Sequence, residues 1–280
     1  MRKITTNGIL YYKFILECFS RPRTVSNFTI NDPQLKKILS VLGNKGKDEI
    51  NLLDYGAGEC RLGKCLKYFQ EEETTYKNIH YYAFEPYPKK EQSKDANLYT
   101  NIADIPTDLR FDVIVLMNVL HEIDVLEWEG TFDVIFSLLK DKGIVILVEV
   151  ITLTNGEMPF GETGYLVLQD DQVKKLFQSS IELNIKKGDE KSNCWLLDKS
   201  DLEKVNGTSI IASVSNLMKS TDKMLQMLNT ERIIHLDKMD EKARMISARK
   251  YAFLTQQYIN ARFAVELLNG GKTQDKNKNI

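Results

Sequence analysis

The chain has 280 residues, 42% of them hydrophobic and 28% charged, and its 38 basic against 39 acidic side chains leave a formal net charge of -1. A chain this long can bury a core that needs no disulfide or metal, and the neutral balance argues against a whole-surface electrostatic grip on nucleic acid. The four cysteines, Cys18, Cys60, Cys65 and Cys194, form neither a CxxC pair nor a zinc-ligand spacing, so they read as free thiols and no metal site is expected.

No stretch reaches the ~20 apolar residues of a membrane span; Glu17 interrupts the apolar run Ile9–Phe19. A cytoplasmic protein without a membrane partner is expected. Residues 1–45 read as a helical segment, with helices over Ile9–Cys18 and Leu35–Leu42 covering one side of a sheet built by the next 150 or so residues.

Between residues 46 and 200, short apolar runs alternate with helical patterns. Ile50–Tyr55, Tyr81–Phe84, Val113–Met117 and Ile144–Val150 read as buried strands, and Leu98–Ile102 as a weaker one. Leu62, Cys65, Leu66 and Phe69 recur at helical spacing, as do Trp128, Phe132, Ile135 and Leu139. The second of these helices is expected to end in Lys140-Asp141-Lys142, with Gly143 at the position after its cap. Glu71-Glu72-Glu73 is expected to be solvated surface.

Strand-helix-strand repetition implies parallel pairing with right-handed crossovers. The expected fold is α/β: a doubly wound, Rossmann-like, mostly parallel sheet. Ile151–Tyr165, carrying Gly156, Pro159, Gly161 and Gly164, reads as a loop, and Gln172–Phe177 as a helix. Ile181–Lys186 and Cys194–Leu197 are expected to close the sheet as a C-terminal β-hairpin.

Residues 201–270 change character. Val214, Leu217, Thr221, Met224 and Leu228 follow 3,4,3,4 spacing, a second helical run spans about Lys238–Leu268, and no proline interrupts either. A helical appendage packed on the sheet domain is expected; a surface for a homo-oligomer or a partner protein is the alternative. Trp195, Tyr251, Phe253, Tyr258 and Phe263 read as core aromatics, and the lysine-rich residues 271–280 as a disordered tail.

The strongest chemical signal is Leu52-Leu53-Asp54-Tyr55-Gly56-Ala57-Gly58-Glu59-Cys60-Arg61-Leu62. A strand ends in an acid, then a glycine turn opens a helix. Glycines let the backbone approach a ligand closely, but Arg61 occupies the place of the third glycine in a G-x-G-x-x-G dinucleotide fingerprint. Asp54 would repel a phosphate there and attract an ammonium.

This segment resembles the first motif of the class I S-adenosylmethionine-dependent methyltransferases, acid-x-Gly-x-Gly-x-Gly, with Cys60 in place of the last glycine. The resemblance extends over residues 50 to about 150. It implies that Asp54 holds the amino end of S-adenosylmethionine, with Gly56 and Gly58 passing beneath it. It also implies that Glu85, in Phe84-Glu85-Pro86, accepts bonds from both ribose hydroxyls. In Thr100-Asn101-Ile102-Ala103-Asp104-Ile105-Pro106, either Asn101 or Asp104 would read the adenine edge and Ile102 would pack on it. In Met117-Asn118-Val119-Leu120-His121-Glu122, the residues Asn118 to His121 would face the methyl group.

If the acceptor is a hydroxyl, a base must take its proton, and an imidazole at His121 is placed for that. Glu122 or Glu149 would orient it; packing beside the cofactor is the alternative role for the ring. Glu149, Glu157, Glu162 and Tyr165 are candidates to line an acceptor pocket, and Gly156–Gly164 is a candidate lid. The expected activity is methyl transfer to oxygen or nitrogen of a small molecule, releasing S-adenosylhomocysteine, with nucleic acid disfavoured as a partner. The alternatives are a macromolecular acceptor docked by the C-terminal helices, or a non-catalytic module that binds S-adenosylmethionine.

Overall fold

The computed structural model of the chain describes residues 32–43, 49–72, 76–88, 97–153, 163–179, 191–235 and 238–276. The expectations for Ile9–Cys18, Ile181–Lys186, Cys18, Glu157, Glu162 and most of the Gly156–Gly164 segment lie outside these residues.

Six strands form one sheet: β1 (Ile50–Tyr55), β2 (Ile79–Phe84), β3 (Leu98–Tyr99), β4 (Phe111–Met117), β5 (Leu139–Val150) and β6 (Ser192–Asp198). Their spatial order is β3-β2-β1-β4-β5-β6, with every pair parallel except the last. Strand order reverses between β1 and β4, so a crevice opens beyond the carboxyl ends of those two strands.

The apolar runs are continuous because both faces are covered. On one face, Leu52, Val113, Val115, Ile146, Val148 and Cys194 pack under α1 (Pro33–Gly43) and α2 (Arg61–Glu72). Leu35, Ile38, Leu39 and Leu42 of α1 are the helix positions buried there. On the other face, Leu53, Ile114, Leu116, Val145, Leu147, Trp195 and Leu197 meet α3 (Trp128–Leu138) and α4 (Asp170–Leu176). Adjacent residues of each strand thus serve opposite layers.

The expected strand Leu98–Ile102 is cut to Leu98–Tyr99 by the 3-10 turn that begins at Ile102, and the end of α3 also departs from expectation. Helix α3 stops at Leu138, and the residue after it is already extended (φ -81, ψ 136). Gly143 therefore lies inside β5 instead of capping a helix. Phe111 pairs with Leu139 and Val113 with Ile144, so residues 140–143 bulge out of the ladder. A side chain on Gly143 would stand 2.8 Å from Leu139, which is why the bulge takes glycine.

After the short helix α5 (Lys199–Leu202), two long helices, α6 (Gly207–His235) and α7 (Glu241–Lys276), form an antiparallel hairpin. Val205, Ile210, Val214, Leu217, Ala261 and Ala264 belong to the same core cluster as Trp128 and Trp195. The appendage is thus part of the core. Phe253 is buried, but Phe263 is 43% exposed, because the packed face of α7 runs through Leu254, Gln257, Ala261 and Ala264. Helix α7 continues to Lys276. No helix among the described residues is long and apolar enough to cross a membrane. Cys60, Cys65 and Cys194 are buried free thiols, and no cluster among the described residues has the makings of a metal site.

Candidate active site

The crevice is built around the turn after β1. Gly56 (φ +72) and Gly58 (φ +52) occupy left-handed backbone that a side chain would strain. Gly56 is also closed sterically, since a Cβ there would stand 2.7 Å from Val119. Above Gly58 the space is open. Cys60 adopts φ 54 and packs against Ala57 and Ala83, so a small thiol fills the place of the expected third glycine.

Asp54 lies at the tip of β1 and is 2% exposed. Tyr81 Oη donates to its Oδ2 at 2.8 Å. That ring occupies the space beside Gly63, where a Cβ would come within 2.5 Å of it. The helix glycine thus makes room for the tyrosine that holds the carboxylate. Burial pushes the Asp54 carboxyl up to about 7, against the lowering pull of Tyr81 and of the Arg61 guanidinium.

Glu85 follows β2 at the same edge of the sheet. Its Oε2 accepts from Gly58 N at 2.8 Å and its Oε1 from Tyr87 N at 3.0 Å. Each carboxylate oxygen keeps further acceptor capacity for an incoming hydroxyl. The carboxylate is thereby fixed beside the glycine turn.

A methyltransferase-domain family model matches residues 29–184, more than half of the 280 residues. The chain belongs to the class I S-adenosylmethionine-dependent methyltransferases. As a methyltransferase it takes S-adenosylmethionine as its methyl donor. Among solved structures, an S-adenosylmethionine-dependent methyltransferase from Clostridium acetobutylicum aligns with a TM-score of 0.42 and 12% identity, over 68% of this chain and 98% of its own. The 1,6-didemethyltoxoflavin-N1-methyltransferase of Burkholderia thailandensis gives 0.43 and 12%, over 70% and 91%. Magnesium protoporphyrin IX methyltransferase from Synechocystis gives 0.39 and 11%, over 70% and 98%. No curated protein matches the chain.

The methyltransferase's crevice fits its donor on three counts: open space over Gly58, a buried carboxylate at Asp54, and a buried Arg61 Nε that bonds to nothing. Asn101 and Asp104 sit two and five residues past β3, whose end shares the edge with Glu85 through the Glu85 N to Tyr99 O bond of 3.0 Å. Both side chains are exposed, and Asn101 Oδ1 caps a short 3-10 turn over Ile102–Asp104 by accepting from Ala103 N at 3.0 Å. Ile102 is half-buried against the core.

Asn118, at the end of β4, has φ 58, and its backbone N donates to Val148 O at 2.8 Å. Three residues on, His121 is 2% exposed and Glu149 at the end of β5 is 1% exposed. Glu149 Oε2 meets His121 Nδ1 at 2.5 Å while Oε1 accepts from Leu120 N at 2.8 Å. Glu122 Oε1 is 4.0 Å from His121 Nε2. Strand pairing of β4 with β5 thus brings the three candidate catalytic residues together. Tyr165 is 3% exposed, stacked on Phe253 with ring centroids 5.9 Å apart, so its ring belongs to a core cluster.

Sequence reasoning missed Tyr81, Asp32 and Gln34. Asp32 Oδ2 pairs with Arg61 Nη2 at 2.9 Å. Gln34 and Asn118 exchange two hydrogen bonds between their side-chain amides, Gln34 Nε2 donating to Asn118 Oδ1 at 3.0 Å and Asn118 Nδ2 to Gln34 Oε1 at 2.9 Å. Gly63 inside an otherwise amphipathic helix was the one sequence sign of Tyr81; Asp32 and Gln34 carried none beyond a helix start.

Proposed function

We propose that this methyltransferase transfers the methyl group to an oxygen or nitrogen atom of a small molecule. The observation that carries the reading is the burial of the C-terminal hairpin. Val214, Leu217, Ala261 and Ala264 are spent in the core, so the inner face of α6 and α7 is not free to dock a macromolecule. The same hairpin fixes the segment after β5, since Val167 N donates to Gln257 Oε1 at 3.2 Å and Asn260 Nδ2 donates to Tyr165 O at 3.0 Å. A rigid wall suits a small acceptor held in a near-attack geometry.

Within this reading, S-adenosylmethionine supplies an activated methyl group on sulfur, and the protein supplies position and a proton sink. Asp54 and Glu85 hold the two ends of the donor, Gly56 and Gly58 pass beneath it, and Asn101, Ile102 and Asp104 border the adenine. Asn118 and His121 face the methyl group. Glu149 orients the ring through Nδ1 of His121, and Nε2 is the nitrogen assigned to take the acceptor's proton. Glu122 stands beside that nitrogen and steadies the charge it gains.

A protein acceptor is the second reading, favoured by Met227, Ile246, Ile259 and Phe263 exposed on the hairpin (43 to 56%). One assay separates the two. Purified protein with methyl-labelled donor and cell extract should label the small-molecule fraction; label confined to protein or RNA would overturn the proposal. With an acceptor in hand, His121→Ala is expected to lower kcat about 10²-fold or more. Affinity for S-adenosylhomocysteine should stay unchanged, and an unchanged kcat would remove His121 from the chemistry.

A further inference from the structure

The guanidinium of Arg61 sits at the point where strand order reverses. Arg61 opens α2 just beyond β1, and its Nη2 lies 3.9 Å from Met117 Sδ at the end of β4. It is close enough to Asp54 to pull on that carboxyl. Its Nε is buried without a partner, and its charge is met by Asp32 at 2.9 Å. Asp32 has two tasks. Oδ1 caps α1 by accepting from Gln34 N at 2.9 Å, and Oδ2 holds Arg61. With the Gln34–Asn118 amide pair, residues 32–34 bridge the segment after β1 to the segment after β4.

The amino-acid end of the donor is a zwitterion. A buried carboxylate at Asp54 matches its ammonium, and the nearby guanidinium with an idle N–H matches its carboxylate. We propose that Arg61 binds the α-carboxylate of the donor, and that Asp32 occupies Arg61 until the donor arrives, so that binding exchanges one carboxylate for another. The start of α1 then senses an occupied site, because it loses one of the two contacts, Asp32–Arg61 and Gln34–Asn118, that fix it over the crevice. This inference rests on the donor site proposed for Asp54 and Glu85.

The test uses the full chain and two probes, S-adenosylhomocysteine and its decarboxylated analogue, which keeps the amine and lacks the carboxylate. Calorimetric titration should show Arg61→Gln weakening S-adenosylhomocysteine roughly tenfold or more, the scale of a charged hydrogen bond, with the analogue changed less than about threefold on the same scale. Arg61→Lys, which keeps the charge and loses the planar fork, should fall between. Asp32→Asn retains the helix cap and frees the guanidinium. It should tighten S-adenosylhomocysteine several-fold, and no longer do so when combined with Arg61→Gln. Equal losses for both probes in Arg61→Gln and Arg61→Lys would overturn the carboxylate assignment, and weaker binding in Asp32→Asn would overturn the exchange. If the unaltered protein bound neither probe, the donor site itself would fail.

Discussion

At the residue scale, the role proposed for Asp54 predicts that donor binding depends on pH. An unfolded aspartate titrates near 3.8 and the buried one at about 7. A raised carboxyl stabilises the free protein fully below the unfolded value, and that stability is lost as pH rises through the folded value. The donor's ammonium favours the opposite, ionised form. Affinity for S-adenosylhomocysteine should therefore drop roughly tenfold from pH 8 to pH 6. Calorimetry near pH 6.5 in buffers of different ionisation enthalpy should detect proton release on binding, and Asp54→Asn should abolish it. Affinity flat with pH would mean that the carboxyl is not the ammonium's partner.

The two turn glycines separate strain from crowding. Gly56→Ala would combine a φ of +72 with a Cβ 2.7 Å from Val119, whereas Gly58→Ala would meet only a φ of +52 in open space. Thermal unfolding should show about 1–2 kcal/mol lost for Gly58→Ala and clearly more for Gly56→Ala. Equal losses would say that Val119 moves freely. The positions of Asp54, Gly56, Gly58 and Glu85 around one turn were legible in the sequence because each sits in a short contiguous segment whose geometry is local. The Gln34–Asn118 pair spans 84 positions, and the partner of Asp54 lies 27 positions away, so neither follows from spacing along the chain.

Among the elements, the strands were readable from apolar continuity: Leu52–Leu53 and Val113–Leu116 face helices on both sides, so nothing polar interrupts them. The end of α3 was not readable. Leu139 continues the helical spacing of Trp128, Phe132 and Ile135, yet it pairs with Phe111 as a strand residue. Pairing with a strand distant in sequence outweighed local periodicity. Phe263 was misplaced for a similar reason, since the close packing of Ala261 and Ala264 selects which face of α7 turns inward.

The tie between α7 and the segment after β5 is a buried side chain. Gln257 accepts from Val167 N and donates to Thr221 Oγ1, both at 3.2 Å. Gln257→Ala leaves a buried N–H and a hydroxyl short of partners, which costs about 1–3 kcal/mol. Chemical denaturation should show that loss with an unchanged slope. A neutral substitution would mean that the hairpin does not hold the wall.

For the whole molecule, the chain unites a parallel sheet with a crevice at its switch point and a helical hairpin that completes the core. The near-neutral charge belongs to this scale too, since it gives no long-range pull on a polyanion. Both carboxylates stand at the tips of neighbouring parallel strands, β1 and β2, on either side of the glycine turn. On the proposed reading, that placement is what lets the sheet hold the donor. The most direct test is calorimetric titration of S-adenosylhomocysteine into the unaltered protein and into Glu85→Gln. Removing one charged acceptor from a vicinal diol is expected to weaken binding about 10-fold or more, with the unfolding temperature nearly unchanged; equal affinity for the two proteins would contradict the account.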